Sequence, residues 1–255
     1  MIAVENVTLR FGGVTAVDNC SLTVATGKIT GLIGPNGAGK TSLFNIVAGR
    51  YKPSSGRVLL DGEDISGLPP HRRFEKGLLR TFQIPQEFSR LTVAENLAMV
   101  PAGQAGEQVW ARWFHSSRVA ADEATLMARV TEVMAFLRLS HVADELASNL
   151  SGGQKKLLEL GRTMMARPKI VLLDEIGAGV NKTLLAELAG DIKRLNTEQG
   201  MTFFLIEHDM DLIARLCDHV IVMAEGRVLT QGTAAEVKQD QRVLDAYLGG
   251  GRVSA

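Results

Sequence analysis

The feature that most restricts the fold of this chain is a short apolar run, Ile29–Ile33, that ends in Gly34-Pro35-Asn36-Gly37-Ala38-Gly39-Lys40-Thr41 and continues through Ser42 as a helix-period stretch over residues 42–48. A strand, a glycine-rich turn and a helix in that order make a phosphate-binding loop. Glycines let the backbone curl until successive N–H groups point at phosphate oxygens, and the helix start adds the positive end of its dipole. Lys40 is then expected to reach the β- and γ-phosphates, and the Thr41 hydroxyl to ligate Mg2+. A chance glycine-rich turn is the alternative; composition alone gives about 0.01 such matches over the chain length.

Such a loop needs a covered sheet beneath it. Ile170-Val171-Leu172-Leu173 and Phe203-Phe204-Leu205-Ile206 carry no polar alternation, which predicts parallel strands buried on both faces. Residues 2–9 and 219–223 are also strand-like. Leu185, Leu188, Ile192 and Leu195 recur at helical spacing between the two apolar runs, so the core is α/β. From Thr92 to Leu139 the pattern changes: Leu126, Val130, Val133 and Leu137 fall on one helical stripe without any strand-like run, which predicts an inserted helical subdomain. The Gly/Gln segment from Pro101 to His115, with Trp110, Trp113 and Phe114, is expected to be a surface excursion with an aromatic anchor. The small, polar tail 249–255 is expected to fray.

Composition closes off other classes. The 255 residues are 45% hydrophobic and 22% charged, which excludes disorder and a small disulfide scaffold. Lys and Arg total 28 against 28 Asp and Glu; zero net charge argues against a whole-surface field, and no nucleic-acid partner is expected. Cys20 and Cys217 lie in apolar stretches without metal-ligand spacing, so both are expected to be core thiols in a reducing compartment, a disulfide between them being the alternative. Glu5 stands where a signal peptide needs an unbroken apolar run, and no stretch approaches the ~18 apolar residues of a membrane span. A cytosolic chain that does not cross a bilayer is expected.

Two further strings carry chemistry. Asp174 and Glu175 follow the apolar run 170–173, at the carboxyl end of a buried strand, where α/β sheets place ligands. Asp174 is expected to help hold Mg2+ and Glu175 to polarise an attacking water, the alternative being a capping pair before the next helix. Ser151-Gly152-Gly153-Gln154 opens a helix-period stretch through Leu157, Leu160 and Met164, with Ser151 as N-cap and two glycines that let an anion approach the amides. That gives two anion-binding helix starts but a single phosphate loop.

The string Leu150-Ser151-Gly152-Gly153-Gln154, together with the phosphate loop and Leu172-Leu173-Asp174-Glu175, resembles the ATP-binding subunit of ABC transporters over nearly the whole chain. The resemblance implies a P-loop NTPase fold of α/β class. One ABC ATPase domain would span 1–255, with a RecA-like parallel-sheet core and antiparallel β subdomain from 1–91 and 168–255, and a helical subdomain carrying the signature at 92–167. It also implies that the second helix start meets the nucleotide of a partner subunit, two chains packing head to tail around two ATP molecules. By position, Gln83 becomes the Q-loop residue that senses Mg2+ and the membrane partner, and His208 the switch histidine near the γ-phosphate. Phe11 takes the place of an adenine-stacking aromatic that is usually Tyr. Read alone, Phe11 is core and His208 a cap or surface group. Two departures follow the catalytic acid: Ile176 replaces a common Pro, which should loosen the turn, and Asn181 replaces an Asp.

Arg10-Phe-Gly-Gly13, Tyr51-Lys-Pro53, Arg80-Thr-Phe-Gln83, Leu91-Thr-Val-Ala-Glu-Asn96, Glu207-His-Asp-Met210 and Ala246-Tyr-Leu-Gly249 resemble the hydrophobic, or branched-chain, amino acid uptake branch. That resemblance implies a peripheral ATPase on the cytoplasmic face of a bacterial inner membrane. Its implied partners are two transmembrane permease subunits, a second and non-identical ATPase, and indirectly a periplasmic binding protein. Docking is expected around the Q-loop and the helical subdomain, at Gln83 and residues 85–90, and the basic run His71-Arg72-Arg73, Lys76 and Arg80 is expected to be a solvated helix face, a lipid contact being the alternative. Urea or amide importers, and soluble ATPases of the iron-sulfur assembly type, are the neighbouring alternatives. A small-molecule kinase would have the phosphate loop without the Ser151 to Gln154 string.

Overall fold

The computed structural model describes residues 1–81, 87–101, 116–177 and 180–248, without the side chains of 116–120 and 248. The chain packs as two units, residues 1–83 with 168–255, and residues 84–167; the second begins before Thr92, at residue 84.

In the first unit, six strands order as β10-β9-β3-β8-β7-β6. These are β3 (Ile29–Ile33), β6 (Leu78–Arg80), β7 (Ile170–Asp174), β8 (Thr202–Ile206), β9 (His219–Ala224) and β10 (Arg227–Gly232). Pairing from β6 through β9 is parallel, and β10 adds an antiparallel edge. β3 and β8 are buried throughout, because the sheet is covered on both faces, so their side chains are apolar apart from the buried Thr30 and Thr202. A second, antiparallel sheet orders as β2-β1-β4-β5, from β1 (Ile2–Phe11), β2 (Val14–Val24), β4 (Ser55–Leu60) and β5 (Glu63–Asp64). Its inner residues Ile2, Val4, Val7, Val17, Val24 and Val58 join one apolar core with Leu43, Phe44 and Ile46 of α1 (Lys40–Val47).

A short α2 (Pro70–Glu75) corrects the expectation of a solvated basic face. Arg73 is 1% exposed. Its guanidinium donates to the carbonyls of Ile46 and Val47, both at 2.7 Å, and to those of Leu68 and Ser66. It thereby gives the Val47 carbonyl at the end of α1 a partner and shares the Ile46 carbonyl with the Gly49 N–H. Burial pushes its pKa down to about 10, so it stays charged.

The second unit contains α3 (Val93–Ala98), α4 (Ser116–Phe136) and α5 (Gly152–Ala166). Val130, Val133 and Leu137 are fully buried, whereas Leu126 is half-buried. A Cβ on Gly161 would lie 2.9 Å from Leu97 and 3.0 Å from Leu137, so glycine sets how closely α5 meets its neighbours. Asn96, 0% exposed, bonds both the N–H and the carbonyl of Phe88 and fixes the loop before α3. The first unit finishes with α6 (Lys182–Gln199), α7 (Met210–Leu216), α8 (Ala234–Gln239) and α9 (Gln241–Leu248). No described helix is long and apolar enough to cross a membrane. Cys20 and Cys217 are free thiols, and burial pushes both up to about 12.

Candidate functional site

Three loops leave the carboxyl ends of adjacent strands β3, β8 and β7, where Leu32, one residue before the end of β3, lies level in the register with the last residues Ile206 of β8 and Asp174 of β7. Neighbouring parallel strands carry their following loops to one edge of the sheet.

The loop after β3 wraps the start of α1. Gly34 has φ 148°, and a Cβ there would lie 2.1 Å from the Met223 carbonyl oxygen; Gly39 has φ 95° and would meet the Ala16 carbonyl oxygen at 2.4 Å. Only glycine fits either position. Asn36 and Gly37 are exposed, Pro35 is half-buried and Ala38 is packed beneath, its N–H donating to the Pro35 carbonyl. Lys40 is 5% exposed, and its Nζ donates to the carbonyl oxygens of Gly34 at 2.7 Å and Pro35 at 2.9 Å. Burial lowers its pKa, and the charge of Glu175 opposes that shift. Thr41 is exposed and Ser42 half-buried. α1 starts at Gly39 with no side-chain cap.

Asp174 ends β7, and its Oδ2 accepts from Arg80 Nη2 at 2.5 Å. The other arm of Arg80 donates to Asn45 Oδ1 of α1 at 2.6 Å. Arg80 is therefore no solvated residue: it links β6, β7 and the phosphate-loop helix. Glu175 has φ 49°, unusual for a residue with a Cβ, and its N–H donates to the Ile206 carbonyl at 3.1 Å. Its Oε1 lies 3.0 Å from His208 Nε2. The structure thus brings Lys40, Asp174, Glu175 and His208 onto three neighbouring loops, although they are far apart in the sequence.

In the second unit, Ser151 Oγ accepts from the Gln154 N–H at 3.3 Å, and Gln154 Oε1 accepts from the Ser151 N–H at 2.9 Å. This capping box opens α5. Gly152 is exposed and Gly153 half-buried.

Residues 17–178 match the ABC transporter family, and residues 227–253 match the branched-chain amino acid ATP-binding cassette transporter family. The chain belongs to the ABC transporter family. A probable branched-chain amino acid transport ATP-binding protein of Archaeoglobus fulgidus is 38% identical over 251 residues, covering 98% of this chain and 95% of that one. A high-affinity branched-chain amino acid transport ATP-binding protein of Pseudomonas aeruginosa is 37% identical, covering 98% of each. An ATP-binding cassette of an ABC transporter, solved in its ADP conformation, is 34% identical with a TM-score of 0.82, covering 98% of each chain. A nucleotide-free cassette gives a TM-score of 0.80 at 32% identity, covering 96% of this chain and 98% of that one.

The remaining candidate residues of this ABC cassette fall in different surroundings. Phe11 is 47% exposed at the end of β1, not in the core, and packs edge-on to Tyr51 with centroids 5.3 Å apart. Tyr51 was visible only as part of the Tyr51-Lys-Pro53 string. Asn181 caps α6, its Oδ1 accepting from the Leu184 N–H at 2.9 Å. Gln83 and Pro85 lie outside the described residues, as do Trp110, Trp113, Phe114 and the tail from 249. Next to that segment, Glu87 pairs with Lys155 of α5 at 2.7 Å and Arg162 sits over the Phe88 ring.

One buried acid had no signal of its own. Glu207 is 4% exposed and accepts from two backbone N–H groups, those of Gly177 and His208. Burial raises its pKa.

For Mg2+, the Thr41 hydroxyl and the Asp174 carboxylate supply hard oxygen donors. Among the described residues no cluster of three or more His, Cys, Asp or Glu could hold a metal. Mg2+ takes one or two protein oxygens together with waters and substrate phosphates, and the oxygens of Thr41 and Asp174 are donors of that kind.

Proposed function

We propose that this cassette is the ATP-hydrolysing subunit of an importer for branched-chain amino acids. The observation that carries the reading is the convergence of Lys40, Asp174, Glu175 and His208 on loops after β3, β7 and β8, in a chain 35–38% identical over nearly its whole length to branched-chain amino acid transport ATP-binding proteins.

ATP enters with its phosphates over residues 34–42. Lys40 exchanges its two loop carbonyls for β- and γ-phosphate oxygens, so its charge, poorly solvated where it stands, gains a charged partner. Thr41 and Asp174, with Gln83, would hold Mg2+, which would supply positive charge against the phosphates. Glu175 orients and polarises the attacking water. His208 fixes the Glu175 carboxylate through their 3.0 Å contact and would face the γ-phosphate of bound ATP. Phe11 stacks on adenine through its π face. Ser151, Gly152, Gly153 and Gln154 complete the site of a second ATPase subunit, so ATP favours the closed pair because only that state contacts it from both chains.

The chain docks peripherally on the cytoplasmic side of two transmembrane permease subunits, served outside by a periplasmic binding protein, and Gln83 with residues 85–90 transmits the contact. The match of residues 227–253 to the branched-chain amino acid cassette family favours this substrate class over urea or amides. Reconstitution with permease and binding protein tests it: leucine is expected to stimulate ATP hydrolysis. Stimulation by urea or an amide but not leucine would remove the substrate assignment; purified complexes holding only soluble partners would remove the transporter.

A further inference from the structure

We infer that Glu207 is a positioning residue for ATP hydrolysis, tying the loop that carries Glu175 to the loop that carries His208 through two backbone amides. The inference rests on the proposed roles of Glu175 and His208 and adds what holds them in register.

Glu207 Oε1 accepts from the Gly177 N–H at 2.9 Å, and its Oε2 from the His208 N–H at 3.2 Å. Gly177 lies just beyond Glu175, and His208 is the residue that meets Glu175 at 3.0 Å. A single carboxylate therefore closes a ring from β7 to β8 around the reacting pair, and the Glu175 N–H bond to the Ile206 carbonyl closes it a second time. Glu175 sits at φ 49°, a conformation that a residue with a Cβ holds only where its surroundings impose it. Ile176 lacks the ring by which a proline would fix its own φ, and the Gly177 to Glu207 bond restrains the next residue of that turn.

The placement is costly. Among the described residues no ion pair includes Glu207, and a carboxylate that is 4% exposed gives up nearly all its hydration. Two amide donors aimed at its two oxygens return part of that loss, and they require an acceptor at both ends. Glutamine offers one acceptor oxygen and turns its NH2 toward the other N–H, whereas methionine keeps similar volume and offers neither.

The test is Glu207→Gln and Glu207→Met in the full-length chain, with kcat, KM, ATP Kd and thermal unfolding measured together and Glu175→Gln run beside them. The expected result is a fall in kcat of about tenfold for Gln and more for Met, with KM and ATP Kd within about twofold and both variants folded at the assay temperature. Wild-type turnover in both variants overturns the inference. So does a loss of ATP affinity parallel to the loss of turnover, since that is general damage to the site. If Glu175→Gln itself turns over at the wild-type rate, the reading of Glu175 fails and the positioning role falls with it. Inactive Glu175→Gln beside fully active Glu207 variants removes the positioning role alone.

Discussion

The starts of α1 and α5 use the same backbone device and are finished differently. α1 begins at Gly39, in the left-handed region, with no side-chain cap, and Lys40 stands beside its first amides. α5 begins at Ser151 and is closed by a capping box, so one of its amides is already satisfied from within the chain. The nearby cation of its first turn, Lys155, is paired with Glu87. An open helix start with its own buried lysine can hold an anion unaided. A capped start whose lysine is engaged offers only the amides beside Gly152 and Gly153, and is the weaker of the two. The difference fits a division of labour in which α1 binds nucleotide in each chain and α5 meets phosphate only when a second chain presents it.

Removing the stronger half should have the largest effect. Lys40→Ala deletes a charge-assisted contact in a partly closed site and is expected to weaken ATP binding about 100-fold, read by calorimetry on the isolated chain. Unchanged affinity would show that the α1 start does not hold phosphate as argued. Gly153→Asp probes the other start: a carboxylate beside the α5 amides repels an arriving γ-phosphate. ATP affinity of the isolated chain should stay the same, while ATP-driven pairing or assembled-complex ATPase activity falls by about tenfold or more. If the isolated chain loses affinity instead, the two starts act within one chain and the contrast collapses.

The two starts were legible in the sequence because their signals are contiguous. Residues 34–42, 151–154 and 172–175 are each one short unbroken stretch of chain, and the runs 170–173 and 203–206 need no partner to be recognised as buried. What escaped was set by distance or by mixed patterning. β2 reads Val-Thr-Ala-Val-Asp-Asn-Cys-Ser-Leu-Thr-Val, half polar because only one face meets the core, and β6 is three residues long. Arg73 sits in a run of basic residues, yet it is buried against carbonyls contributed by α1. Phe11 has the composition of a core residue but ends a strand at the surface. Glu207 finds Gly177 across 30 residues, by way of a neighbouring strand, and no local pattern announces that.

The smallest expected effect separates capping from phosphate contact at a single position. Ser151→Ala removes the hydroxyl that accepts from the Gln154 N–H, and loss of an N-cap costs about 1 kcal/mol. Amide exchange in the first turn of α5 should therefore quicken by about fivefold, with ATP affinity of the isolated chain unchanged. Ser151→Asp keeps a good cap, because a carboxylate accepts the same N–H and favours the positive helix end. It should leave exchange near wild type and yet depress ATP-driven pairing, since the same charge faces any phosphate brought to that turn. If Ala and Asp lower pairing only in proportion to the fraying each causes, Ser151 is a cap and nothing more. Lost pairing with an intact helix in Asp instead marks the α5 start as a place where phosphate arrives from outside the chain.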